Sequence, residues 1–427
     1  MVTEGFRKAI DTAFERTTSQ GAMKRLRKKA WDRFNAIGLP TRKQGPYQYV
    51  PLRRLYAAEL LPVTISPPSQ AIVDEHILSE CRKSCLVFVN GCYNPSLSNV
   101  EALPKKAVIL PLSDALRSYG PFLDKRMKES VKEERDSFAM LNAALHDSGL
   151  FVYLPPNVVI KDPIQIHHVV TAESPSIMAP RIHLSLGVHA EARVFSTLHH
   201  TNNTNHWINQ LFDISLEENA HLHICYNTAR TASNLMLFSF MRATIKASSV
   251  LSSVSLNSGG SAIREDYHVR LIGSGAQALL HGACMLQGKN QMHTNVLMEH
   301  VAPNCSSTQL FKSILRDQTR SSFEGKIYIH KEAQKTDAYQ LNANILLSDT
   351  AIVDSKPNLE IFADDVKASH GCTIGQLDEE QLFYLLTRGI SKEAANKLLL
   401  YGFCTDVVEK IPLASQHETA LEWVDSY

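Results

Sequence analysis

The side chains in this chain that could do chemistry are its histidines, cysteines and carboxylates. Their most suggestive grouping is KASHGCTIG, residues 367–375. His370 and Cys372 stand two residues apart, just after the acidic pair Asp364 and Asp365. In an extended strand, residues i and i+2 share one face. A thiolate and an imidazole on one face suit iron or zinc. A thiol beside an imidazole is also a nucleophile with its base, and a turn in ordinary β-structure is the third reading. The residue types leave these three open.

Other candidates are weaker. His221, His223 and Cys225 in HLHIC alternate along a strand and point one way. No fourth ligand lies nearby, and structural zinc takes four, so the segment reads as a polar strand face. His199 and His200 are adjacent, face opposite sides of a strand and cannot serve one site. With His206 they flank TNNTN, a polar turn. Cys81 and Cys85 could share a helix face, but with Cys92 they read as buried small hydrophobes. Asp364 and Asp365 are neighbours and diverge in a strand, unlike the facing carboxylates of glycoside hydrolysis. The chain has no phosphate loop, dinucleotide fingerprint, nucleophile elbow or helical zinc-protease motif. The sequence therefore gives no self-contained catalytic apparatus. A β-helix enzyme remains the rival from another class.

Three textures position these residues. Met23, Leu26, Ala30, Phe34 and Ile37 recur at helical steps, with Gly38 and Pro40 as a stop. Residues 51–150 are mixed: 85–99 reads as a strand ending in turns, 107–112 as a buried strand, and 130–149 as a helix ending at Gly149. From about 151, alternating β-branched segments such as IQIHHVV, HLHICY and KIYIH take over. Small or polar clusters at 189–192, 218–221, 246–249, 273–276, 303–306 and 332–335 punctuate them at roughly 28-residue intervals. Period-2 strands with a fixed longer repeat and no intervening helices predict a β-solenoid. Pro303 is the only proline between 181 and 356, as central strands require. After Gly375, Asp378 is a plausible N-cap for a helix with Glu379 and Glu380 in its first turn. That helix closes at Gly389, and Ser391 caps a second that closes at Gly402, making a helical hairpin. The expected fold is mostly β with helical ends: an N-terminal helical and mixed region (1–150), a β-helix core (151–376) and a C-terminal helical region (377–427).

Lys and Arg number 44 against 43 Asp and Glu, a net charge of +1 that argues against a dedicated nucleic-acid binder. Residues 1–60 hold thirteen basic against five acidic residues, which reads as a solvated helical face. No apolar run is long enough to cross a membrane. Eight scattered cysteines without CxxC, and no signal segment, point to free thiols and a cytoplasmic protein.

Residues 323–390 resemble the SufB/SufD family of iron–sulfur cluster assembly scaffolds. The resemblance is carried by AQKTDA (333–338), the NILLS, LEI and ADDVK segments, SHG (369–371), LDEE (377–380), LFYL (382–385) and RGI (388–390). RKKAWDRFNAIGLPTRK (27–43) and residues 136–168 are similar to the family more weakly. The SufD side of the family fits better, because QLN (340–342) and SHGC stand where SufB proteins carry QCD and EHEA. The resemblance implies a right-handed parallel β-helix between helical ends. It also implies a non-catalytic SufD-like subunit of a SufB–SufC–SufD scaffold that assembles nascent clusters for transfer to apoproteins. On this reading the chain pairs with a SufB-like subunit through the β-helix ends. A SufC-like ATPase docks on the C-terminal helices, for which Asp378, Glu379, Leu382, Phe383, Leu386 and Arg388 are the candidates. His370, and more weakly Cys372, would meet a transient iron or cluster at the SufB–SufD interface. Ala368 stands where many relatives have cysteine, so the thiol of Cys372 is not a simple match. A purely structural scaffold with no ligand role is the alternative.

Overall fold

The computed structural model describes the whole chain except residues 1, 17–18, 64–68, 147–148, 229–233 and 426. From Leu150 onward, strands alternate between two sheets, apart from Ser176–Met178 and Arg181–Leu186, which share the first, and build a parallel β-solenoid of about 8 turns. The first sheet ends in the strands Ala262–Leu271, Gln291–His300, Arg320–Ile329 and Ile352–Ile361. The second ends in Gln277–Leu286, Ser306–Leu315, Thr336–Leu346 and Val366–Gly375. Each strand pairs with the equivalent strand of the next coil, for example Trp207 with Met236 and Gln291 with Arg320.

The six expected turn clusters are the corners of these coils. In each, one residue has positive φ: His189, Asn219, Ser248, Gly275, Asn304 and Lys335. Its N–H donates to a carbonyl of the next coil, from Asn219 to Ala247 (3.0 Å), Ser248 to Ser274 (3.0 Å) and Asn304 to Gln334 (2.9 Å). The corners are thus stacked as the strands are, which keeps the coil length near-constant. Asn and Gly suit such positions, since they tolerate the left-handed region at little cost.

Inward residues fill the solenoid. Val194, Ile214, Ile224, Val269 and Ile327 belong to one apolar core. Farther along, polar groups enter it. Glu265 is buried and accepts hydrogen bonds from Ser255 (2.5 Å), Asn257 (2.9 Å) and Tyr267 (2.8 Å), and burial pushes its carboxyl above the usual range.

The outer faces of both sheets are covered by helices. N-terminal helices pack Phe6, Phe34 and Phe138 against Trp207, Phe238 and Phe240 of the first sheet. Ion pairs fasten them, Arg126 to Asp213 and Arg242 to Glu134, while Arg242 also pairs with Asp266 on the neighbouring strand. This explains a departure from the expected helix over 130–149. The chain instead forms helices Gly120–Glu133 and Ser137–Leu145. Glu134 turns to Arg242, and Asp136 caps the second helix by accepting from Phe138 N and Ala139 N. The basic N-terminal helix Gly21–Ile37 does show Lys24, Arg25, Lys28 and Lys29 to solvent, but Arg27 is buried and donates to Ala144 O (2.7 Å). Residues 85–99 form a hairpin of two strands, Cys85–Val89 and Cys92–Asn99, rather than one strand with turns. Cys81 ends a short 3-10 turn and Cys85 opens a strand, so the two do not share a helix face.

The C-terminal helices fold back over the second sheet. Leu400, Cys404, Val407 and Val408 pack on Cys225, Val254, Leu256, Ala283 and Ile314. The helix Lys392–Val408 therefore runs through Gly402 instead of stopping there. The ~1 kcal/mol helical cost of one glycine is outweighed by burying the turn beyond it. A further helix, Ala414–Asp425, follows. No helix among the described residues is long and apolar enough to cross a membrane.

Burial holds several histidines neutral. The imidazoles of His167 and His293 are pushed down to about 3, and those of His168 and His300 to about 4, in each case chiefly by desolvation. The unfolded chain takes up these protons near pH 6.5 and the folded chain does not. Stability is thus full above about 6.5 and falls as pH drops below it, by up to ~1.4 kcal/mol per unit for each histidine. The unfolding free energy is expected to drop by several kcal/mol in total between pH 7.5 and 5.5, read as a markedly lower urea midpoint. An unchanged midpoint would contradict this assignment of buried neutral imidazoles.

Candidate functional site

The site is the end of the stack. Strands Ile352–Ile361 and Val366–Gly375 each have a partner on one side only. In neither is any residue buried, whereas the coil before them is largely buried at its inward positions. The end is a core cut open. Around it Ile352 (49%), Ile361, Phe362 (57%), Ile374 (49%), Tyr339 and Leu341 are exposed. Exposed parallel edges with apolar side chains invite another strand. Pro357 is tolerated in the last strand of its sheet because one side of that strand has no partner to receive an N–H.

His370 and Cys372 lie on this last rung, and the structure does bring them to one face. Their strand pairs in register with Thr336–Leu346, so that His370 is opposite Gln340 and Cys372 opposite Asn342. Gln340, Asn342 and Asn344 are buried and point into the solenoid. Val366 and Ala368, of the same parity as His370, pack on the apolar core. His370 and Cys372 are therefore lumen residues that are exposed because no coil lies over them. Gly371 faces outward between them, and its backbone continues the strand rather than turning.

The helical hairpin stands beside this end. Asp378 accepts from Glu380 N (2.9 Å) and Gln381 N (3.0 Å), and Ser391 accepts from Ala394 N (3.2 Å), so both expected caps are present. The first helix, Glu379–Thr387, buries none of its residues. Phe383 is 67% exposed, with Tyr384 and Leu386 beside it and Leu398 and Tyr401 on the next helix. Asp378, Glu379 and Arg388 are also exposed, and Leu382 is half-buried. The Arg388 guanidinium lies 5.1 Å over the Tyr384 ring. The second helix is the anchor: Lys312 Nζ reaches Asp406 (2.7 Å) and Phe403 O (2.8 Å).

The remaining histidine and cysteine candidates do not join them. In the 221–225 strand, Cys225 is buried under the C-terminal helices, while His221 lies near Glu191. His199 stacks on His76 with ring centroids 3.4 Å apart, and His200 lies against His206. Among the described residues, no group of three or more His, Cys, Asp or Glu has the geometry to hold a metal. Sequence reasoning missed the amides Gln340, Asn342 and Asn344 and the exposed Ile352 and Phe362. The signal for the amides was present as polar residues at every second position of 340–344.

The comparisons with known proteins cover nearly the whole chain. Residues 168–403 match the family model described as "SUF system FeS cluster assembly, SufBD core domain". Residues 6–166 match "SufBD protein N-terminal region". The chain is 30% identical over 380 residues to the iron–sulfur cluster assembly protein SufD of Escherichia coli, covering 88% of this chain and 86% of that protein. It is 26% identical over 409 residues to an iron–sulfur cluster assembly SufBD family protein of Synechocystis, covering 93% and 89%. It is 26% identical over 406 residues to the chloroplastic protein ABCI7 of Arabidopsis thaliana, covering 91% and 83%.

The geometry also separates the thiols. Cys372 is exposed, Cys92 half-buried, and the other six buried. Burial pushes Cys81, Cys85, Cys225 and Cys284 up to about 12, which removes their thiolate at neutral pH. Maleimide labelling of the isolated native chain should modify Cys372 first, and Cys372→Ser should remove that fast phase. Rapid labelling of several cysteines together would show that the core of the isolated chain opens, because the buried cysteines lie away from the last rung.

Proposed function

The chain belongs to the SufBD family of the SUF iron–sulfur cluster assembly system, and on that premise we propose that it is a SufD-like scaffold subunit. Its role in SUF cluster assembly follows from the family. The finer reading is that it pairs through the open end of its solenoid with a SufB-like subunit, and that its C-terminal helices dock a SufC-like ATPase. A nascent iron–sulfur cluster is the cargo at the paired ends, and this chain contributes ligation rather than catalysis.

The observation that carries the reading is the uncovered last rung. It places an imidazole at the mouth of the lumen, inside a rim of exposed apolar side chains. Burying Ile352, Ile361, Phe362 and Ile374 on a partner is favourable by ~1.5–3 kcal/mol each before the cost of association. Neutral imidazole binds iron, so His370 can meet an incoming iron there, while the partner supplies the thiolate and carboxylate ligands. Cys372, on the same face, lies within the same shared space. The three named regions, 1–150, 151–376 and 377–427, then divide the work into lateral cover, paired core and ATPase dock.

Two experiments test this reading. The chain is co-purified anaerobically with SufB-like and SufC-like partners, as wild type and His370→Ala, and iron, sulfide and visible absorbance are recorded. Loss of cluster from an intact mutant complex is expected. Equal cluster in both would leave a scaffold without ligand chemistry. Separately, Phe383→Ala with Leu386→Ala should weaken SufC-like binding tenfold or more, ~1.4 kcal/mol, with the fold unchanged because neither side chain is buried. Undiminished binding would move the dock elsewhere.

A further inference from the structure

The register points to Gln340 as a positioning residue for His370: its buried amide oxygen is unbonded among the described residues of this structure and would accept the imidazole N–H once the ring turns toward it. The inference deepens the proposed role of His370 and rests on it. Gln340 is the in-register partner of His370 on the preceding coil. Neighbouring strands lie ~4.8 Å apart, so the two side chains leave the sheet side by side on its lumen face.

The amide of Gln340 is fixed at one end and open at the other. Nε2 donates to Gln309 Oε1 (2.9 Å), one coil farther back. Oε1 is buried and has no hydrogen-bond partner among the described residues, although the side chain as a whole is only 3% exposed. A buried amide oxygen left without a donor costs ~1–3 kcal/mol. A donor one rung ahead removes that cost, and His370 is the side chain that the register places there.

The neighbouring column supplies the contrast. Asn342, behind Cys372, has both ends of its amide engaged, donating to Phe311 O (3.1 Å) and accepting from Asn344 Nδ2 (2.9 Å). The unmet acceptor therefore stands behind the histidine and not behind the cysteine. The opposite sheet keeps the space for it. A Cβ added at Gly325 would lie 2.2 Å from Gln340 Nε2 and 2.7 Å from its Cδ. Glycine at 325 is what lets the glutamine lie across the lumen in this pose.

Metal-binding imidazoles commonly donate their second N–H to a carbonyl or carboxylate, which sets the tautomer and the ring direction. Gln340 would do this for His370 before a partner subunit or iron arrives. One ring nitrogen then carries the proton toward Gln340, and the other presents its lone pair outward to the shared interface.

The test reads the ring itself. The full chain is labelled with [15N]histidine, and imidazole 15N–1H spectra are recorded at neutral pH, with the His370 signals identified by their loss in His370→Asn. One dominant tautomer is expected in the wild type. Gln340→Met, near in shape but a weak acceptor, and Gly325→Ala, whose methyl pushes the amide aside without changing either side chain, should each relax His370 to a mixture. Gln340→Glu keeps an acceptor oxygen and should keep the wild-type tautomer. Folding of each variant is checked by its melting temperature, and if one arm fails to fold the other two still decide. A wild-type ring already mixed, or one unmoved by Gln340→Met, overturns the assignment. A changed tautomer in Gln340→Glu overturns the acceptor role. In the reconstituted complex, Gln340→Met should weaken iron retention by about 10–100-fold. If His370→Ala leaves cluster assembly intact while the tautomer still depends on Gln340, the hydrogen bond stands and the ligand role of His370 falls. The two failures are thereby distinguishable.

Discussion

Every coil of a parallel β-solenoid satisfies its backbone by bonding to the coil before and the coil after it. That condition cannot be met at an end. Here the start is closed by antiparallel strands: Cys92–Asn99 pairs beside Cys85–Val89, and Val108–Pro111 beside Leu150–Leu154. Among the described residues the finish has no such cover, so the last two strands carry unpaired backbone and lumen residues open to solvent. The rest of the structure can be understood from that asymmetry. An open end of this kind is stable in water only if it is kept from indiscriminate pairing or reserved for a particular partner.

The helical ends leave it as the free face of the solenoid. N-terminal helices cover one sheet through aromatic packing and ion pairs, and C-terminal helices cover the other through the apolar cluster around Leu400 and Val407. Pairs such as Arg242 with Glu134 are modest sources of stability, because desolvation offsets much of their attraction. They do fix the register between helices and sheet. The hairpin at the C-terminus has two helices that differ in exposure. Its second helix is held to the sheet by Lys312 and by packing, and its first helix is thereby presented with Phe383 and Tyr384 outward, close in sequence to the open rung.

Much of this was legible in the sequence. The corner clusters, the absence of proline from the central strands, and the caps Asp378 and Ser391 all depend on local backbone preferences, which act within a few residues. Those preferences carry over directly into the folded chain. The departures arose where tertiary contacts overrode local signals. The helix expected over 130–149 breaks because Arg242, more than a hundred residues away, draws Glu134 aside. The helix expected to stop at Gly402 continues because Cys404 and Val407 find a sheet to pack on. Residues 85–99 fold back on themselves as a hairpin.

The site divides in the same way. By itself the sequence determined that His370 and Cys372 share a face in a terminal β-segment, since strand period is a property of the backbone. It determined the coil repeat for the same reason, because each corner needs its own turn residues. Only the tertiary structure decided that this face looks into the lumen and that no coil covers it. Only the register between coils decided that Gln340 stands behind the histidine and Asn342 behind the cysteine. These are relations between residues about thirty positions apart, set by the length of each coil and the hydrogen-bond ladder that stacks them, and no local preference encodes them.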